Sequence, residues 1–147
     1  MVYELVRRQV IDPITQRSDG DCMLAAVASC TGLDYGYVSE VSRQVLKSPH
    51  KSGLWLTELE RVLTRMGFRM KIVHPSVVLG DEGHGIVVVK FAKSKPAEYH
   101  SLCSFGNSFV IDPLNGLIWD IDLYLSVQSN AHGKTVLQNG IQLFEKR

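Results

Sequence analysis

The chain has no surplus of charge to speak of: sixteen basic residues stand against fifteen acidic ones, for a formal net charge of +1. A protein that holds a nucleic-acid backbone by charge needs a strong basic excess or a basic stripe, so nucleic acid is not an expected partner. Long apolar runs are also missing. The longest, Met23 to Ala28 and Ile86 to Val89, fall far short of the roughly twenty residues that span a bilayer, and no membrane span is expected. The start, Met1 to Asp12, alternates apolar and polar residues and carries Arg7 and Arg8, without the continuous apolar core of a secretory signal, so a cytoplasmic location is expected. Cysteine is sparse and odd in number, Cys22, Cys30 and Cys103, in a chain of 147 residues long enough to build a core without staples, so the three are read as reduced thiols. Repeats and low-complexity segments are absent.

The chain does have 45% hydrophobic residues in a length typical of one domain, so residues 1–147 are read as a single domain with one core. Cys22 to Thr31 is nearly all apolar or small, follows Asp19, Gly20 and Asp21, and stops at Gly32. That predicts a buried helix with an aspartate at its start and a glycine at its end. Tyr37, Val38, Val41, Val45 and Leu46 recur at helical spacing up to Pro49, and Leu56, Leu59, Leu63 and Met66 up to Gly67, giving two amphipathic helices. Beyond Gly67 the pattern becomes short and β-branched. Strands are expected over Phe68 to Val73, Ile86 to Phe91, Tyr99 to Ser104 and Ser108 to Ile111, with Asp112-Pro113 ending the last. Leu117 to Trp119 suggests a further strand and Ile121 to Val127 a short helix. Thr135 to Phe144 closes the chain as a strand, or as a hairpin around Asn139-Gly140. Helices first and antiparallel strands second predict an α+β fold, with the helices on one side of the sheet.

Within this frame one constellation carries chemistry. A thiol is a nucleophile only as thiolate, and the first turn of a helix favours negative charge, which is where Cys22 falls. An imidazole to take the thiol proton and a carboxylate to orient that imidazole complete the set, and His100 and Asp112 suit these roles. They are neighbours only if the hairpin register allows it. A two-residue turn at Gly106-Asn107 turns His100 away from Asp112, whereas a three-residue loop, Phe105-Gly106-Asn107, sets them opposite each other and is the expected arrangement. Gln16, six residues ahead of Cys22, can contribute a side-chain amide to an oxyanion hole.

The run QRSDGDCMLAAVASCTG, Gln16 to Gly32, resembles the glutamine and cysteine region of papain-like peptidases. It is most similar to the peptidase domains that remove leader peptides in bacteriocin-exporting ABC transporters and to their stand-alone relatives. GLWLTELERVLTRMGF (Gly53 to Phe68), GIVVVKF (Gly85 to Phe91) and HSLCSFGNSFVIDP (His100 to Pro113) follow in the same order as in that family. The resemblance implies a papain-like fold, a central helix bearing the cysteine, catalytic Cys22, His100, Asp112 and Gln16, a peptide or protein substrate, and neither cofactor nor metal. Met23 departs from the family, which usually has glycine after the cysteine, and a bulkier side chain there is expected to narrow the cleft or alter its selectivity.

Weighed singly, a cysteine at a helix start is more often core than catalyst, Asp112-Pro113 is a common strand terminator, and Gln16 is an ordinary loop residue. Their joint order with His100 favours catalysis. Cys30 and Cys103 are assigned to the core, and His50, His74, His84 and His132 receive no role. Asp81, Glu82 and His84 give no ligand set of defined geometry and are read as a solvated turn. Trp55 and Trp119 are read as core or cleft wall. Peptide-bond cleavage is the leading expectation. The same acyl-enzyme chemistry on a glutamine side chain gives deamidation or transglutamination, and the rival from another class is a peptide-binding module that uses the fold without turnover. Nothing in the sequence sets an oligomeric state.

Overall fold

The computed structural model describes residues 2–7, 15, 22–46, 56–93 and 98–146. In chain order these form β1 (Tyr3–Leu5), α1 (Cys22–Thr31), α2 (Tyr35–Leu46), α3 (Leu56–Arg65), β2 (Phe68–Val73), α4 (Pro75–Leu79), β3 (Gly85–Phe91), β4 (Glu98–Ser104), β5 (Phe109–Ile111), β6 (Ile118–Asp120), α5 (Ile121–His132) and β7 (Thr135–Lys146). All seven strands join one antiparallel sheet in the order β1-β7-β3-β4-β5-β6, with β2 also on β7. The fold is α+β, as expected.

Helix α1 is apolar all round because it is covered all round: every residue from Met23 to Thr31 is buried. It stops where Gly32 takes a φ of 76°, its N–H returning to the Ala28 carbonyl at 2.9 Å. Asp34 then starts α2 by accepting the Tyr37 N–H at 3.1 Å. Helix α3 and the buried face of α2 close over α1, forming one core with Val38, Leu59 and Leu63.

Strand β3 explains a departure from the expected layering. Its residues Gly85 to Val89 are all buried, an unbroken apolar run that requires cover on both faces of the sheet. Ile86 and Val88 enter the core under α1. Val87 and Val89 enter a second core on the other face with Val78 and Leu79 of α4 and Ile121 and Tyr124 of α5. The helices therefore cover both faces, not one.

The last strand is continuous through Asn139-Gly140, not a hairpin. Gly140 pairs with Val87 on one side and Val73 on the other, and a Cβ there would meet Val78 and Val73 side chains at 3.0 and 3.2 Å. The irregularity falls instead between Val88 and Val89, whose partners on β7 are Asn139 and Leu137, so that Gln138 is the extra residue of a bulge.

Candidate active site

Cys22 is the first residue of α1 and is half-buried, while the residues after it sink into the core. This position gives its sulfur the free N–H groups and positive end of the helix dipole. Across from it lies β4, which carries His100 and Ser101, and beyond β4 lies the end of β5, after which comes Asp112.

The hairpin linking β4 and β5 differs from the expected loop. Cys103 pairs with Ile111 and Ser104 with Val110, and the Phe105 N–H reaches the Phe109 carbonyl at 3.4 Å, so the loop is Gly106-Asn107-Ser108. All three residues have positive φ, of 91°, 54° and 64°. The cause is tertiary: the Asn107 and Ser108 N–H groups donate to the carbonyls of Gly80 and Leu79 at the end of α4. Gly106 lies so close to the carbonyls of Gly83, Asp81 and Gly80 that a Cβ would fall 2.9 to 3.2 Å from them. Docking against α4 thus shifts the pairing by two residues. A shift of two preserves the face, so His100 and Asp112 become diagonal neighbours on one side of the sheet, within reach of a long side chain.

They make the contact. His100 Nε2 donates to Asp112 Oδ1 at 2.7 Å, the two side chains being 15% and 5% exposed. The same carboxylate oxygen accepts the Leu114 N–H at 2.9 Å. Asp112 is itself held by its main chain, with its N–H on the Leu117 carbonyl and its carbonyl on the Gly116 N–H. With Nε2 committed to Asp112, Nδ1 is the ring nitrogen left for the hydrogen bond that His100 makes with Cys22.

Electrostatics follow from these contacts. Burial pushes the Cys22 thiol towards its neutral form, but the hydrogen bond and charge of His100, with hydrogen bonds from the Ser101 main chain and hydroxyl, overcome it and lower the pKa. Burial likewise favours neutral imidazole, yet Asp112 on one side and Cys22 on the other raise His100 to about 9. Both shifts run towards the charged forms, so the contacts favour a thiolate-imidazolium pair braced by a carboxylate. Tyr124 of α5, 1% exposed and edge-on to Trp119 at 5.8 Å, lies close enough to Asp112 and Cys22 that burial and both charges raise its pKa.

Of the four expected site residues, Cys22, His100 and Asp112 come together, and Gln16 lies outside the described residues. His50 and Trp55 also lie outside them. Met23 does not wall a cleft: it is 4% exposed and packed in the core under α1. His74 caps α4 by accepting the Ser76 N–H, His84 is buried, and His132 packs edge-on to Phe91 at 5.7 Å. Sequence reasoning missed Ser101 and Tyr124. Ser101 was within reach, since strand alternation puts the residue after His100 on the α1 face. Nothing local marks Tyr124, whose position depends on how α5 folds back.

A helix-borne cysteine set against an antiparallel sheet that presents histidine and aspartate is the papain-like peptidase fold, and the described residues of this chain have it. Solved structures share it, two of them peptidase domains of transporters. The peptidase domain of Streptococcus ComA, a bi-functional ABC transporter involved in a quorum-sensing pathway, superposes with a TM-score of 0.54, 15% identity and coverage of 99% of this chain and 100% of that one. A double glycine motif protease from an AMS/PCAT transporter, solved in complex with the leader peptide, superposes with a TM-score of 0.58, 14% identity and full coverage of both chains. No family model and no curated protein matches the sequence. Likeness at this identity is a likeness of fold, and function rests on the site.

Proposed function

We propose that this chain is a cysteine peptidase, a single papain-like domain over residues 1–147, with Cys22 as nucleophile, His100 as general base and acid, Asp112 as the group that orients His100, and Gln16 as a donor to the oxyanion. The observation that carries the reading is the 2.7 Å hydrogen bond from His100 Nε2 to Asp112, made by a ring whose other nitrogen serves a half-buried thiol at a helix start. A group that needed only to fill the core would have no use for a thiol with lowered pKa beside an imidazole with raised pKa.

The chemistry follows in two halves. Cys22 Sγ attacks the carbonyl carbon, and the electron pair displaced onto oxygen is held by main-chain N–H at the start of α1 and by the Gln16 amide. His100, already protonated, gives its Nδ1 proton to the leaving nitrogen as the C–N bond breaks and a thioester remains. Neutral His100 then takes a proton from water, the hydroxide adds to the thioester, and collapse expels the Cys22 thiolate with the proton back on His100. Asp112 stabilises the imidazolium in both halves and fixes its orientation. A peptide is the proposed substrate, supported by the neighbour solved with a leader peptide. The burial of Met23 in the core removes the steric objection to such a ligand. The cytoplasm is the proposed location, since a thiolate nucleophile works only while reduced.

The test is to incubate wild type and Cys22→Ala with a double-glycine leader peptide and with a denatured-protein digest, reading new termini by mass spectrometry. Wild type is expected to cut, and Cys22→Ala to lose activity by about three orders of magnitude or more. Retained cleavage in Cys22→Ala overturns the reading, and conversion of glutamine to glutamate without new termini moves it to deamidation.

A further inference from the structure

The end of β5 leaves a gap in the sheet beside Cys22. The Phe105 N–H points across to β5, donating to Phe109, and alternation along an antiparallel strand turns the N–H of every second residue the same way. The N–H groups of Cys103 and Ser101 therefore also face the β5 side. Cys103 has Ile111 beside it, but the ladder ends there. The register would set Pro113 opposite Ser101, yet the chain after Ile111 has already turned, with the Gly116 N–H on the Asp112 carbonyl at 2.7 Å. Ser101 thus has a main-chain donor aimed at a place where no strand runs among the described residues, and it is 4% exposed, so water is a poor substitute partner.

Helix α1 packs on this face of β4 with Cys22 at its start, and the Ser101 N–H and hydroxyl both act on the Cys22 sulfur to lower its pKa. Two donors on one half-buried sulfur favour an acceptor with full negative charge. We propose that Ser101 is a further catalytic residue, its main-chain N–H and its hydroxyl both donating hydrogen bonds to the Cys22 thiolate. His100 supplies the opposite charge from one side of β4, and Ser101 supplies neutral donors from the other.

This division has a consequence. The imidazolium surrenders its charge when it protonates the leaving group, whereas the Ser101 donors stay in place through both halves of the cycle. They hold the sulfur when it departs from the thioester in deacylation, alongside the imidazolium that has re-formed at His100. The groups facing Cys22 are thus His100 and Ser101 from β4, Asp112 behind His100, and Tyr124 from α5; Asp19 and Asp21 precede it in sequence outside the described residues.

The role rests on Cys22 being the nucleophile, and the experiment separates the two claims. Wild type, Ser101→Ala and Ser101→Thr are alkylated with iodoacetamide from pH 5 to 10, and the rate at Cys22 is followed by peptide mass spectrometry. Thermal melts check that each variant is folded. Losing one hydrogen bond to a charged sulfur is expected to move the midpoint of the Ser101→Ala profile up by about one pH unit. A less stabilised thiolate is rarer but more nucleophilic, so the rate falls about threefold on the acid side and rises about threefold on the alkaline plateau. Ser101→Thr keeps the hydroxyl and is expected to restore the wild-type midpoint. A merely structural serine would lower the melting temperature and leave the midpoint unmoved, and a folded Ser101→Ala whose profile overlays that of wild type overturns the role while leaving the triad standing. An inert Cys22 in wild type overturns both.

Discussion

Cys22 and Cys30 stand near opposite ends of α1, and each meets β4, but the strand offers them different things. At Cys30 the sheet is complete. Cys103 and Ser104 are paired with β3 on one side and β5 on the other, and the thiol finds the Gly85 carbonyl at 3.1 Å, the neighbouring Cys103 thiol and a main-chain hydrogen bond from Ser104 too weak to offset them, with no imidazole beside it. Burial then raises its pKa well above the ordinary value, and Cys103 adds to the rise. At Cys22 the burial penalty is also the largest single effect, yet the pKa falls, because β5 has ended and β4 can turn His100 and Ser101 towards the sulfur. The thiol with the lowered pKa is distinguished by where the hydrogen-bond ladder runs out. Asp112-Pro113 ends the strand and supplies the carboxylate in the same step, since proline cannot continue a ladder.

The sharpest test of this comparison is the two thiols in one tube. At pH 6, iodoacetamide is expected to label Cys22 at least about a thousandfold faster than Cys30, which combines a protonated thiol with complete burial. His100→Ala should bring Cys22 down by about tenfold or more, and labelling of Cys30 at a comparable rate in the folded protein would break the comparison. A smaller effect is expected from Asp112→Asn. The amide oxygen can still accept from His100 Nε2 and from the Leu114 N–H, so geometry survives while the charge is lost. Turnover at pH 8 should fall about tenfold, with the alkaline limb of the pH profile moving down from about 9. An unmoved limb would mean that Asp112 acts by shape alone.

Much of this site was legible in the sequence because it is carried by local pattern. The bounds of α1 follow from an apolar run between Asp21 and Gly32, and the order Cys22, His100, Asp112 needs only a helix start and a hairpin. The register escaped because it is set by contacts far along the chain: Asn107 and Ser108 are held by α4, a five-residue helix that no periodicity announces. The same holds for β1, three residues whose pairing partner is the far end of β7. The second apolar face of β3 was written in Val87 and Val89, and reading the run as fully buried would have demanded helices on both sides. Alternation rescued the triad despite the wrong loop, since a shift of two residues keeps His100 and Asp112 on one face.

The smallest effect concerns stability, and there the two partners oppose each other. His100 is raised from about 6.5 in the unfolded chain to about 9 in the fold, so its contribution is fully present below about 6.5 and is lost as pH rises through about 9. Cys22 is lowered in the fold, so its contribution is present above the unfolded thiol value and is lost as pH falls through the folded one. Where the two windows overlap, the fold holds more proton at His100 and less at Cys22 than the unfolded chain does. The two cancel, and the melting temperature of wild type should be nearly flat from pH 7 to 8.5. In Cys22→Ala only the histidine remains, still held above its ordinary value by Asp112, and it must give up its extra proton as pH rises. The melting temperature of that variant should then fall by about 2–4 °C over the same range, while wild type stays level. Parallel curves for the two proteins would show that the proton shared between Cys22 and His100 is not on the imidazole in the resting fold.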